Sequence, residues 1–167
     1  TLCSLVFFLA LFNYFFLLSW FKKNYMIYSY KNTFNCSVEK AFALFMDMDR
    51  RPEFIDIMSE SGWVNKTSNI IDSVFREKMV FIGFPLHLDS DIIAYEENKH
   101  YTSKCKMAPF YPTITLKVWP EGKKCGSSLD IEIHLGPLEY LPKFIIKNQV
   151  DSIVDKMVKK YGKALNE

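Results

Sequence analysis

The sequence predicts an α+β domain in which a curved antiparallel sheet of about seven strands wraps around a long C-terminal helix, preceded by an N-terminal transmembrane helix. Three observations lead to this fold class: an uncharged apolar run at the start, six strand-like segments in succession, and a final segment with helical spacing of its apolar residues. Six short adjacent strands favour an antiparallel meander. The apolar face of that sheet needs a cover, and the last helix is long enough to supply it.

The apolar run at residues 2–21 has the length of a membrane span. It contains no charged residue, and Lys22 and Lys23 follow it directly. Twenty helical residues span about 30 Å, the thickness of the hydrocarbon core of a bilayer. We therefore predict a transmembrane anchor at residues 1–23 and one domain at residues 24–167, with a buried core helix or a truncated signal peptide as the alternative. The lysines place the domain on the cytosolic or organellar-matrix side, the mitochondrial inner membrane being one candidate.

The domain begins with a predicted strand and two short helices. Residues 25–34, YMIYSYKNTF, are mostly aromatic or β-branched, which is typical of a strand. Ser37 can cap the helix that follows, and Pro52 ends it before a second helical turn. The apolar residues of the first helix recur on one face, at Val38, Ala41, Phe42 and Phe45.

Strands then follow until residue 135, where the periodicity changes. The strand segments are ESGWVNKT, IIDSVFREKMVFIG, PLHLDSDIIAYEE, KHYTSKCKM, PTITLKVWPEG and CGSSLDIEIHL. Turn-forming residues separate them. After Gly136-Pro137 the apolar residues take helical spacing, at Ile146, Val150, Ile153, Val154, Met157 and Tyr161. The lysines of this helix either attract an anionic surface or form a solvated face paired with aspartates at i,i+4.

The composition argues against nucleic-acid and metal sites. The 21 basic and 19 acidic residues give a net charge of +2, and Lys22 and Lys23 account for that excess. The balanced remainder lacks the basic excess of a nucleic-acid binder. The four cysteines are widely scattered without a CxxC pair, and no histidine stands at ligand spacing from them. We therefore expect reduced thiols, no metal and no cofactor.

Two long sequence segments resemble the START-like, helix-grip superfamily (SRPBCC) of polyketide cyclases, dehydrases and lipid-transport proteins. TFNCSVEKAFALFMDMDRRPEF resembles its first strand and helix pair, and HLGPLEYLPKFIIKNQVDSIVDKMVKKYGKAL its last strand, Gly-Pro turn and closing helix. The resemblance covers residues 25–165 and implies a cavity between sheet and last helix that holds an apolar ligand. The segment FIGFPLHLDSDI is similar to the mitochondrial coenzyme Q-binding branch of this superfamily, and this similarity implies a quinone as the ligand.

Strand alternation predicts which side chains face that cavity. With Arg76 and Lys78 assigned to water, their neighbours on the same strand point inward. The predicted ligand-binding residues are Phe75, Glu77, Met79, Ile92, Tyr101, Ser103, Cys105, Leu116, Val150 and Val154. The alternative is a solid core, because residues of these types fill a core equally well.

Glu77 is the most informative of these positions. A carboxylate that faces inward is costly unless it is paired, so its burial would indicate a ligand-orienting or acid–base role. A one-residue bulge would turn it outward instead. Tyr101 and Ser103 are the predicted hydrogen-bonding partners of a polar ligand head. The histidines fall on outward faces or in turns, so no catalytic residue is predicted.

The sequence therefore predicts membrane-anchored binding or shuttling of a hydrophobic small molecule, such as a lipid, sterol, isoprenoid or quinone, without catalysis. The predicted partners are that molecule, the membrane through residues 2–21, and other subunits of a membrane complex. The alternative function is a structural or accessory subunit of such a complex, for example a respiratory assembly. A cyclase-type enzyme would need polar groups in the cavity, for which Glu77 and Tyr101 are available.

Overall fold

The computed structural model describes residues 25–106, 111–134 and 142–166 of the 167-residue chain. The strands in these ranges are β1 (Tyr25–Phe34), β2 (Met58–Asn65), β3 (Val74–Phe81), β4 (Phe84–Glu96), β5 (His100–Cys105), β6 (Thr113–Glu121) and β7 (Lys124–His134). The helices are α1 (Val38–Phe45), α2 (Arg51–Phe54) and α3 (Lys143–Asn166), with a 3₁₀ turn at Met48–Arg50 before α2.

All seven strands form one antiparallel sheet in the order β1-β7-β6-β5-β4-β3-β2. Strands β2 to β7 make a meander, and β1 joins it beside β7 through ten residue pairs from Tyr25–His134 to Phe34–Cys125. The predicted order of one strand, two short helices, six strands and a long helix is confirmed. The sheet curves around α3, as the predicted α+β fold requires.

Helix α1 begins where its sequence signals indicate. The Ser37 side chain accepts a hydrogen bond from the Lys40 backbone N–H at 3.2 Å, which satisfies one of the free donors of the first turn. Ala41, Phe42 and Phe45 are buried on one face of the helix. They join the larger hydrophobic core, which also holds Phe34, Phe75 and Tyr161 from β1, β3 and α3.

Helix α3 packs its apolar stripe against the sheet and pairs its charged residues within the domain. The buried residues of the stripe are Ile146, Val150, Val154, Tyr161 and Leu165. The Tyr30 hydroxyl donates to the Asp151 carboxylate at 2.6 Å, and Lys147 lies 2.5 Å from the same carboxylate. Lys160 lies 2.5 Å from Asp56. These contacts fit a solvated, internally paired helix face.

The predicted localisation as a single-pass membrane protein is wrong. Within the described ranges, no helix is both long enough and apolar enough to cross a bilayer. Helix α3 has the length, with 24 residues, but lysines and aspartates recur along it from Lys147 to Lys163. A charged residue at the centre of a bilayer is costly, which excludes this helix as a span. The predicted anchor at residues 1–23 lies outside the described residues.

Candidate functional site

A cavity of about 220 Å³ lies between the inner face of the sheet and α3. Most of its wall consists of apolar side chains from β3, β4, β6, β7 and α3. The sheet side includes Met79, Leu88, Leu116, Leu129 and Ile131, and the helix side includes Ile146, Val150, Val154, Met157 and Tyr161. The space predicted between the sheet and the last helix is therefore present, and the solid-core alternative does not describe this part of the domain.

The register of β3 and β4 decides the direction of Glu77. The two strands pair without a shift from Val74–Asp91 to Phe81–Phe84. Because no bulge interrupts this ladder, Glu77 keeps the inward direction of the alternating pattern. Its exposed fraction is 4%, and it lies on the cavity wall. The outward alternative for Glu77 does not apply.

The structure places seven of the ten predicted residues on the cavity wall. They are Glu77, Met79, Tyr101, Ser103, Leu116, Val150 and Val154. These side chains come from β3, β5, β6 and α3, so residues far apart in the sequence meet around one space. A role of these residues in ligand binding stays a prediction.

The other three predicted residues are buried but do not line the cavity. Phe75 packs edge-on against Trp63, with ring centroids 6.1 Å apart, and Arg51 covers its ring. Ile92 is fully buried in the larger core, and Cys105 has an exposed fraction of 1% at the end of β5. Their strands point them inward as predicted, but none of the three borders the cavity.

A buried ion pair stands on the cavity wall. The Arg51 Nη1 donates to the Glu77 Oε1 at 2.7 Å, and the Arg51 Nη2 donates to the Tyr101 hydroxyl at 2.5 Å. The guanidinium also lies 4.9 Å from the ring centroid of Phe75, within the range of a cation–π contact. Arg51 thus joins α2 to both β3 and β5.

The surroundings of this cluster keep Arg51 charged and Tyr101 neutral. Burial opposes the charged form of Arg51, but the nearby Tyr101 and the Glu77 carboxylate outweigh it, so the pKa of Arg51 is raised. Burial also raises the pKa of Tyr101, although Arg51 acts against this shift. The cluster therefore carries one positive and one negative charge that offset each other inside the domain.

Tyr161 brings a further hydroxyl to this part of the cavity. Its ring stacks on Phe54 at a centroid distance of 4.1 Å and meets Phe45 edge-on at 5.0 Å. Burial is the main cause of the raised pKa of its hydroxyl. Within the described ranges, this hydroxyl has no hydrogen-bond partner, although Tyr161 lines the cavity.

Two serines extend the polar part of the wall. Ser90 on β4 and Ser103 on β5 have exposed fractions of 5% and 3%, and both line the cavity. Neither hydroxyl makes a hydrogen bond to another of the residues that the structure describes. Because each hydroxyl can donate and accept, both remain available to a ligand in the cavity.

Sequence reasoning missed Arg51, Ser90 and Tyr161 as site residues. An inward carboxylate at Glu77 requires a nearby cation, but the sequence does not indicate which basic residue supplies it. Ser90 shares the alternation of Leu86, Leu88 and Ile92 in PLHLDSDII, so its inward direction could have been predicted. Tyr161 was assigned to the apolar stripe of the last helix, and nothing in the sequence indicates that its hydroxyl reaches the cavity.

The site provides an apolar enclosure with polar groups on part of its wall. Among the described residues, no cluster of three or more His, Cys, Asp or Glu side chains is arranged to hold a metal ion. The chemistry that these residues offer is apolar contact, hydrogen bonding by hydroxyls, and the field of a neutralised ion pair.

Several solved structures are similar to this fold. A START superfamily protein from Mycobacterium smegmatis has a TM-score of 0.72 and 12% sequence identity, over 84% of this chain and 97% of the other. The major latex-like protein 151 from Panax ginseng has a TM-score of 0.68 and 10% identity, over 84% and 97%. Norcoclaurine synthase from Thalictrum flavum has a TM-score of 0.63 and 13% identity, over 86% and 87%.

The similarity is one of fold. No protein-family model matches the sequence, and no curated protein is significantly similar to it in sequence. The structural likeness spans more than four fifths of this chain in each of the three comparisons. The START-like fold predicted from the sequence is confirmed, and the likeness to the coenzyme Q-binding branch stays a prediction.

Proposed function

Because the chain has the START-like, helix-grip fold, we propose that it binds and shuttles a hydrophobic small molecule in the cavity between the sheet and α3. The observation that carries this proposal is the cavity itself, whose wall is mostly apolar and formed by both layers of the domain. An apolar ligand gains about 25 cal/mol for each Å² of its surface that leaves water, so enclosure alone supplies affinity. No chemical step is needed for such a role.

The size of the cavity narrows the class of ligand. Its volume of about 220 Å³ is below the range of about 300–1,000 Å³ that pockets for drug-sized ligands usually have. A slender chain, such as an alkyl or isoprenoid chain, or a single ring therefore fits better than a rigid sterol skeleton. Among the predicted ligands, this favours lipid-derived chains and small isoprenoids.

A cyclase-type enzyme is the second candidate, and one observation favours it. The Arg51–Glu77–Tyr101 cluster is a set of ionisable groups within the cavity wall, and such clusters are common in active sites. Norcoclaurine synthase, by its name an enzyme, shares the fold. Glu77 is held in an ion pair with Arg51 at 2.7 Å, however, and this contact occupies the carboxylate that an acid–base role would use. Nothing in the described residues favours the accessory-subunit alternative.

Two tryptophan variants test the binding proposal. Leu88→Trp places a large ring into the cavity, because Leu88 is buried on its wall. His87→Trp is the matched control, since the neighbouring residue is exposed on the outer face of β4. We expect the fluorescent apolar probe 1-N-phenylnaphthylamine to bind the unmodified chain and His87→Trp, and to bind Leu88→Trp at least about tenfold more weakly.

The same proteins are extracted with organic solvent after purification, and the extracts are compared by mass spectrometry. A co-purifying apolar molecule should be present with the unmodified chain and the control and depleted from Leu88→Trp. Equal probe binding by all three folded proteins would show that the cavity is not the binding site.

A further inference from the structure

Four polar residues of the cavity wall form one continuous arc across β3, β4 and β5. On the inner face of the sheet, Ser90 is the diagonal neighbour of Glu77, because it pairs with Phe75 on β3. Ser103 is the diagonal neighbour of Ser90, since it pairs with Ile92 on β4. Tyr101 follows two residues away on the strand of Ser103. Neighbours of this kind lie about 5–8 Å apart, so four polar side chains from three adjacent strands are contiguous.

The arc lies against the guanidinium of Arg51, whose charge is already neutralised. Its bond to Glu77 is 2.7 Å long, and both side chains are more than nine-tenths buried. A carboxylate brought to this part of the cavity would be attracted by Arg51 and repelled by Glu77, and it would lose its hydration. An ammonium group would be attracted by Glu77 and repelled by Arg51, and it would also lose its hydration. The two charges of the ion pair therefore give no net stabilisation to a charged head group of either sign.

A neutral polar group on a ligand can form hydrogen bonds with hydroxyls on the cavity wall. The hydroxyls of Ser90, Ser103 and Tyr161 have no hydrogen-bond partner among the described residues and lie on the cavity wall. Each can donate to a carbonyl or accept from a hydroxyl. A buried polar group without a partner is costly, and a ligand that supplies partners removes that cost for the protein and for its own head.

We propose that this arc is a head-group subsite, and that it selects an apolar ligand with one neutral hydroxyl or carbonyl group over the corresponding carboxylate or ammonium. The inference rests on the proposed function, because it assumes that the ligand lies in this cavity. The apolar part of the ligand contacts the wall formed by Leu116, Leu129, Ile146 and Val150, and its head reaches the serines and Tyr161.

Isothermal titration calorimetry at pH 8 with 1-decanol and decanoate tests this proposal. The two probes share a chain of the same length and differ in the charge of the head. We expect the unmodified protein to bind 1-decanol at least about tenfold more tightly than decanoate, the ratio that one unpaired buried polar interaction produces. Equal affinities, or tighter binding of decanoate, would overturn the subsite while leaving apolar binding in place.

The variant Glu77→Gln should change the preference of the protein for 1-decanol over decanoate. It removes the negative charge and leaves Arg51 without neutralisation, so decanoate binding should strengthen and the ratio should fall by about tenfold or more. Asp89→Asn is the matched control, because Asp89 forms the exposed pair with Arg76 on the outer face of the same strands. The control should keep the ratio of the unmodified protein.

The double variant Ser90→Ala/Ser103→Ala keeps the proposal testable if Glu77→Gln does not fold. It should weaken 1-decanol binding by about tenfold and leave 1-N-phenylnaphthylamine binding unchanged, because that probe needs only apolar contact. Unchanged 1-decanol binding would contradict the subsite. If none of the three probes binds the unmodified protein, the proposed function fails, and the subsite fails with it.

Discussion

Arg51 and Glu77 stand 26 residues apart in the sequence and meet at 2.7 Å inside the domain. Their contact joins the short helix α2 to the inner face of β3. Arg51 is the first residue of α2, it is buried, and Pro52 follows it directly. The ring of Phe75 and the hydroxyl of Tyr101 complete the surroundings of the guanidinium. The pair therefore links three elements of the fold at the cavity wall.

Arg51→Met should destabilise the domain strongly. Removal of one partner of a buried ion pair leaves the other charge without compensation, which typically costs about 3–5 kcal/mol in the free energy of unfolding. Urea unfolding followed by circular dichroism measures this loss. The control is Arg76→Met, because the Arg76–Asp89 pair is half exposed and should contribute no more than about 1 kcal/mol. Similar losses in the two variants would contradict the structural role of the buried pair.

The sequence predicts the elements of this fold better than the site within it. Aromatic and β-branched composition identifies β1, apolar alternation is clear in β6 and β7, and helical spacing identifies α3. Alternation and spacing can be read from the sequence because both depend on local burial. Glu77 could be assigned to the interior from alternation alone, but its partner could not be identified. Arg51 and Arg50 are adjacent in the sequence, and only the packing of α2 shows that Arg51 turns inward while Arg50 pairs with Glu53 at the surface.

Whether an inward-facing residue borders the cavity or is packed within the solid core also depends on tertiary packing. Ile92 and Leu116 are both inward-facing aliphatic residues, yet Leu116 borders the cavity and Ile92 does not. The distinction arises from which side chains of the helices lie opposite each of them. Alternation reports only the face of the sheet, so it cannot resolve this difference. The membrane localisation was a prediction from the apolar run at residues 2–21, which lies outside the described ranges, and no helix within those ranges is long and apolar enough to cross a bilayer.

The stability of the domain should fall between about pH 9 and pH 11 because of Cys125. Burial raises the pKa of the Cys125 thiol from 9.0 to about 11, and the neighbouring Cys36 adds to this shift. In the unfolded chain the thiol ionises near its ordinary pKa, while the folded domain keeps the proton. The unfolded state therefore gains stability as the pH rises through this window, by about 3 kcal/mol at most, since each pKa unit corresponds to about 1.4 kcal/mol.

Cys125→Ala removes this titration and isolates its effect. Urea unfolding of both proteins under reducing conditions at pH 8 to pH 11 gives the difference in the free energy of unfolding at each pH. We expect the variant to be less stable at pH 8, because it loses a buried side chain, and the difference to narrow as the pH rises. The tyrosines titrate in both proteins, so their contribution cancels. A difference that does not change with pH would contradict the raised pKa.

Gly126→Ala should destabilise β7. A Cβ atom added at Gly126 would collide with the indole ring of Trp119 on β6, its cross-strand partner. The ring must move, and we expect a loss of about 1–3 kcal/mol together with a change in tryptophan fluorescence. Gly162→Ala is the control, because an added Cβ atom there meets no neighbour within 4 Å on α3. That variant should gain up to about 1 kcal/mol, since alanine has the higher helix propensity.

Tyr101→Phe and Tyr161→Phe remove the same atom from two different surroundings. The Tyr101 hydroxyl accepts a hydrogen bond from Arg51, so its loss leaves a buried charged donor unpaired and should cost about 1.5–3 kcal/mol. The Tyr161 hydroxyl has no partner among the described residues, and its loss should change the stability by no more than about 0.5 kcal/mol. Thermal and urea unfolding measure both values.

The Tyr161 hydroxyl should matter once a ligand is bound. With 1-decanol present, the ligand should stabilise Tyr161→Phe less than it stabilises the unmodified protein, because the variant lacks a donor to the ligand head. A large loss of stability in ligand-free Tyr161→Phe would contradict the assignment of this hydroxyl to the open cavity.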